Sequence, residues 1–115
     1  MVATVHLDGD ILDELRVIMG NDFAGLLNTF IQDSTQRVAA VEREFAAGNA
    51  IGLRAAAHSF KGSSSNLGAH QLAHLCRLIE DLALAGDLAA CAAPVGELGA
   101  EFVAVKNEVD ALLTA

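Results

Sequence analysis

Tyrosine and tryptophan are missing from this 115-residue chain, and proline occurs once, at Pro94. Sheet proteins draw on aromatic and β-branched residues, so this shortage, set beside an abundance of Ala and Leu, points to an all-helical fold. Basic residues are scarce as well: 7 Lys and Arg stand against 15 Asp and Glu, a formal charge of -8. Phosphate-backbone binding needs a basic field that outweighs the rest of the chain, which excludes a nucleic-acid surface and makes any basic patch local. Cys76 and Cys91 are the only cysteines. They are too few and too irregularly placed for a disulfide framework and are expected to be small core residues. No run approaches the roughly 20 apolar residues that span a bilayer, and the opening MVATVHLDGD has neither the basic segment nor the apolar run of a signal peptide. A soluble, cytoplasmic, free-standing domain over residues 1–115 is therefore expected.

Glycine punctuates what is there. Gly20 precedes Asn21, Gly48 precedes Asn49 and Gly86 precedes Asp87, the order of a helix end followed by a capping residue. Connections this short imply antiparallel neighbours. Between Asn21 and Gly48 the apolar positions Phe23, Leu26, Leu27, Phe30, Ile31, Val38, Val41 and Phe45 advance in steps that keep one helix face. Leu72, Leu75, Cys76, Ile79, Leu82 and Ala83 repeat the pattern after Gly68, and Leu98, Phe102, Val105, Val109 and Leu112 form a stripe near the C-terminus. Pro94 fits the first turn of that last helix, where its missing N–H has no partner to lose. The segment from about Asn49 to Leu67 carries the stripe Leu53, Ala57, Phe60, Ser64, Leu67. These four stripes predict an all-α, antiparallel up-down four-helix bundle, with a short additional N-terminal helix from about Asp10 to Met19 covering one end.

The second of these long helices, from about Asn49 to Leu67, has an unusual outer face. At about 100° of rotation per residue, Arg54, His58, Lys61, Gly62 and Ser65 fall on the side away from its stripe. A core histidine would lie on the stripe, so His58 is expected to point outward. Helical side chains lean toward the N-terminus, and the residue one turn on, Gly62, therefore covers the surface at His58. Glycine leaves the imidazole open, although within a helix it costs about 1 kcal/mol relative to Ala. Lys61 leans back the same way and brings an ammonium toward the ring. Neutral imidazole is abundant near neutral pH and has a ring nitrogen free to accept a phosphoryl group. Phosphoryl transfer depends mainly on in-line placement and on positive charge around the transferring oxygens, part of which Arg54 and Lys61 could supply.

The stretch AAHSFKGSSSNLGA, Ala56 to Ala69, resembles the signature of histidine-containing phosphotransfer domains, the modules that relay phosphoryl groups in multistep two-component systems. His, Lys, Gly and the later Gly-Ala sit at the family spacing, and Phe60 stands where the family often has Leu. The resemblance extends over essentially the whole chain. It implies that His58 is phosphorylated on Nε2, that Lys61 meets the phosphoryl oxygens, and that Gly62 provides access, with Arg54 and Ser65 in support. Where the family commonly has a Gln hydrogen-bonded to the active histidine, this chain has Glu80. That carboxylate would either hold Nδ1–H and orient the ring or pair with Arg77 or solvent, and its charge would oppose a nearby phosphoryl group. The resemblance also implies a monomeric carrier without its own ATP site or cofactor. Its partners would be response-regulator receiver domains and a hybrid sensor histidine kinase, the receiver supplying the acidic pocket and Mg²⁺. Docking would use the face around His58, with Ile51 as an apolar contact at its edge.

Three other readings compete. His70 and His74 are one turn apart, a spacing that can chelate zinc or copper, but no further ligand completes a set on that face. The phosphoacceptor helix pair of a sensor kinase also exposes a histidine, yet typically follows it with an acidic residue and then a proline. Here Ser59 follows, and Pro94 is distant. Ser63, Ser64 and Ser65 lack the Gly-x-Ser-x-Gly elbow and the triad partners of a hydrolase. His6 is expected in a frayed terminal segment without a role.

Overall fold

The computed structural model describes residues 6–114, and every regular element among them is helical. Helix α1 spans Gly9–Met19, α2 Phe23–Ala46, α3 Ala50–Asn66, α4 His70–Leu84 and α5 Ala92–Thr114, with short 3₁₀ turns at Gly20–Asp22 and Ala89–Cys91. The reading of MVATVHLDGD as free of a signal segment falls partly on residues 1–5, outside the described residues. The four long helices neighbour one another in a ring: α2 packs on α3, α3 on α4, α4 on α5 and α5 on α2.

The stripes meet in one core. Leu27, Val41, Leu53, Phe60, Leu72, Ile79, Leu98, Val105 and Val109 are fully buried within it, and both cysteines are free thiols inside it. Burying one such large apolar side chain is worth about 1.5–3 kcal/mol. This is why each helix settles on the phase its stripe dictates, with its charged residues left outside the core. The stripe of α3 is buried at every position, Leu53, Ala57, Phe60, Ser64 and Leu67 alike. Among the described residues, two polar side chains join the core, Ser34 and Ser64, and neither hydroxyl finds a hydrogen-bond partner there. Ser34 fills the gap in the α2 stripe between Ile31 and Val38.

Caps explain where the helices begin. Asn49 has an extended backbone and its side-chain oxygen accepts from the N–H of Gly52 at 3.0 Å, starting α3. Asp8 does the same for α1, accepting from Asp10 and Ile11. Asp87, two residues before the 3₁₀ turn that leads into α5, accepts from the Ala90 N–H at 3.1 Å. Asn21 departs from the expected pattern: it lies inside the Gly20–Asp22 turn, and α2 begins at Phe23 with no side-chain cap. The Phe23 N–H donates to the Gly20 carbonyl, so the tightened turn itself satisfies a donor that a capping side chain would otherwise take.

Gly68 joins α3 to α4 and seats α1. Its φ of 75° lies in the left-handed region, and a Cβ there would come within 2.9 Å of the Asp8 Cβ and 3.2 Å of the Ile11 Cβ. The Asp8 N–H donates to the Gly68 carbonyl at 2.9 Å. His6, expected to be frayed, is held: its N–H donates to Glu108 Oε2 at 2.6 Å, and its Nδ1 lies 2.7 Å from Glu101 Oε2. Both acids belong to α5, so a contact across about a hundred residues of sequence overrides the usual loosening of a terminus.

Candidate functional site

α3 presents two opposite faces within three residues. Phe60 is fully buried while the His58 side chain is 68% exposed, as the helical rotation between them requires. Lys61 is one turn along on the same outer side and half-buried. On α4, Cys76, Ile79 and Ala83 enter the core, which places Glu80 at the edge that faces α3. Its side chain is only 13% exposed.

The three polar groups close on one another. Glu80 Oε1 lies 2.8 Å from His58 Nδ1, and Lys61 Nζ donates to Glu80 Oε2 at 2.7 Å. The Lys61 hydrogen bond holds the Glu80 carboxyl below its ordinary value; burial opposes this and the His58 contact reinforces it. An ionised carboxylate only accepts hydrogen bonds, so the ring nitrogen facing it carries the proton. Nε2 is then the unprotonated nitrogen of the neutral ring. It belongs to a largely exposed side chain and is engaged by no group among the described residues. Of the alternatives open for Glu80, the geometry selects the pairing with His58 and Lys61 over one with Arg77.

The remaining residues of the face lie where the helical phase puts them. Arg54 and Ser65 are exposed and make no side-chain hydrogen bond or ion pair among the described residues, and Ile51 is 85% exposed at the start of α3. Gly62 is exposed; its φ is outside the left-handed region, and an added Cβ would meet nothing within 4 Å. Neither backbone geometry nor packing forces a glycine there. Beneath the site, burial pushes the Cys76 thiol up to about 12, with the Glu80 charge adding to the shift and Lys61 opposing it. That thiol is protonated at neutral pH and acts as a core residue. Arg37 of α2 donates to the Ser59 hydroxyl beside His58 and to Asp33 Oδ2, tying α2 to α3 next to the site.

His70 and His74 are both exposed. His70 Nε2 lies 2.8 Å from Asp8 Oδ2, a contact between the cap of α1 and the start of α4 that neither local sequence announces. No group of three or more His, Cys, Asp or Glu side chains among the described residues could hold a metal ion, so the metal reading is not favoured. Among the same residues, no helix is long and apolar enough to cross a membrane.

Comparison with known proteins bears on the fold and the family. The Hpt domain family model matches residues 25–115. No curated protein matches the chain. Among solved structures, histidine-containing phosphotransfer protein B (HptB) from Pseudomonas aeruginosa PAO1 superposes with a TM-score of 0.93 at 36% identity, covering 97% of each chain. An all-helical chain whose family model takes in α3 and α4 whole, and whose fold follows a phosphotransfer protein nearly end to end, belongs to the Hpt domain family and has a histidine phosphotransfer function.

Proposed function

We propose that His58 is the residue that carries the phosphoryl group, on Nε2, between receiver domains of a two-component phosphorelay. The observation that supports this most directly is the division of labour on the ring: Nδ1 is engaged by Glu80, while Nε2 of this largely exposed side chain has no partner among the described residues. A receiver's aspartyl phosphate can approach that nitrogen in line over Gly62. Lys61, held 2.7 Å from Glu80 in the resting state, is close enough to turn to the phosphoryl oxygens and neutralise them. Arg54 adds positive charge one turn before the acceptor, Ser65 lies one turn beyond Lys61, and Ile51 offers an apolar contact at the rim of the docking face.

In this reading the chain is a carrier, with no ATP site and no cofactor of its own. The receiver supplies Mg²⁺ and the acidic pocket, and a hybrid sensor kinase stands upstream. A monomeric, cytoplasmic, single-domain module over residues 1–115 fits that role, with α2 to α5 running up and down and α1 closing one end. The connections support this course: Gly48 and Gly68, both with positive φ, reverse the chain within a few residues.

Incubation with a phosphorylated receiver and Mg²⁺ tests the assignment. The protein should gain an acid-labile phosphate that His58→Gln loses while its circular dichroism is unchanged. Phosphate that persists in that variant, or that survives acid, would place the acceptor elsewhere.

A further inference from the structure

A carboxylate at position 80 decides where one proton sits during transfer. We infer that Glu80 retains the Nδ1 proton on His58 through the whole cycle, so that phosphorylated His58 is an imidazolium at neutral pH and its phosphoryl group stays in a form that leaves readily. The inference rests on His58 being the acceptor and concerns how that same site is poised.

The balance of atoms is simple. The Nε2 lone pair forms the N–P bond as the P–O bond of the receiver's aspartyl phosphate breaks, and that bond's electron pair leaves with the aspartate carboxylate. The ring keeps its Nδ1 proton and becomes a cation. In the return step the N–P pair falls back to Nε2 and the leaving group is neutral imidazole. Had Nδ1 lost its proton after phosphorylation, the leaving group would be an imidazolate, a far stronger base and a poorer leaving group. Whatever keeps the proton on Nδ1 therefore keeps the carrier a competent donor.

Glu80 is built to do this. It meets Nδ1 at 2.8 Å, and its carboxyl, held below the ordinary range, remains an anion that accepts without taking the proton. An opposite charge at such a distance favours the protonated ring, which an uncharged amide at the same place would do far less. The groups that oppose it are few. On α3 these are Lys61, bound to the other oxygen of Glu80, and Arg54 one turn before His58. On α4, Arg77 lies one turn before Glu80, and Cys76 is a protonated thiol beneath it. On α2, the other helix packed on α3, Arg37 is paired with Asp33 and Ser59, and Glu44 lies by Gly52 at the far end of α3. Lys61 can pass to the phosphoryl oxygens after transfer, which frees Glu80 for the ring.

The test uses the full chain, isotope-labelled and phosphorylated with phosphoramidate. The ring-nitrogen NMR signals of phospho-His58, assigned by their absence in His58→Gln, are followed against pH. The Nδ1 proton should be lost at least about one pH unit higher in the wild type than in Glu80→Gln, a tenfold difference in proton affinity. Lys61→Ala, which leaves Glu80 in place, should move the midpoint upward instead. Coincident midpoints in wild type and Glu80→Gln, or a downward shift in Lys61→Ala, would overturn proton retention while leaving His58 as the acceptor. Failure of His58 to take up phosphate would overturn both.

Discussion

Gly62 stands inside α3 without any steric need. Its backbone is ordinary helix and a methyl group would touch nothing, so glycine costs the helix about 1 kcal/mol relative to Ala. Gly62→Ala should raise the unfolding free energy by roughly 0.5–1 kcal/mol in urea titration and leave phosphotransfer near the wild-type rate, because a methyl group does not reach the ring. In Gly62→Gln the long side chain leans back over His58, and transfer from a phosphorylated receiver should slow on the order of tenfold to a hundredfold. Wild-type rates in the Gln variant would remove access as the explanation for this glycine. The placement of this residue was legible in the sequence because it is local: one turn of helix relates it to His58. The partner of Glu80 was not. Spacing places Glu80 at the edge of α4, but whether its carboxylate turns to His58 or to Arg77 depends on how α4 is rotated against α3, which no single helix specifies.

At the scale of elements, the phase of each stripe was readable and the joints were only partly so. The buried set of α3 is the set its periodicity predicts, and Asn49 caps where expected, because both follow from a repeat and one side-chain bond within a few residues. Asn21 failed as a cap because the Gly20 turn continued as 3₁₀ helix and met the same backbone need by another route. Ser34 escaped notice because an apolar pattern cannot register a buried hydroxyl. Gly68 could be read as a helix end, but its second constraint comes from α1, whose Asp8 and Ile11 pack where a Cβ would be. Gly68→Ala must then bear a left-handed φ and displace α1 together. A loss of roughly 2–4 kcal/mol is expected, read as a lower melting temperature with faster amide exchange in α1 than in α4. A variant as stable as the wild type would show that α1 yields there at little cost.

Over the whole molecule, carboxylates set the response to acid. Asp8 titrates below its ordinary 3.8, chiefly because of its hydrogen bond with His70, and Glu80 titrates below its ordinary 4.5, chiefly because of Lys61. A carboxylate whose folded value is depressed binds its proton more readily in the unfolded chain. Its contribution to stability is therefore complete above the unfolded value and is lost as the pH falls through the folded one. Between neutral pH and about the ordinary carboxylate range these two contributions stay intact; below it both fade. The two act on different joints: Asp8 fastens the start of α1 to α4, whereas Glu80 joins α4 to α3. Asn is as good a helix cap as Asp, so Asp8→Asn keeps the cap of α1 while removing the charge that His70 meets. Urea midpoints measured from neutral pH down to pH values below 3.8 should fall for the wild type and fall less steeply for Asp8→Asn. The two curves should converge at the acid end, where Asp8 is protonated in either state. Parallel curves would mean that the Asp8–His70 pair adds nothing to the acid response. The remaining slope would then belong to Glu80 and to the other carboxylates of this acidic chain.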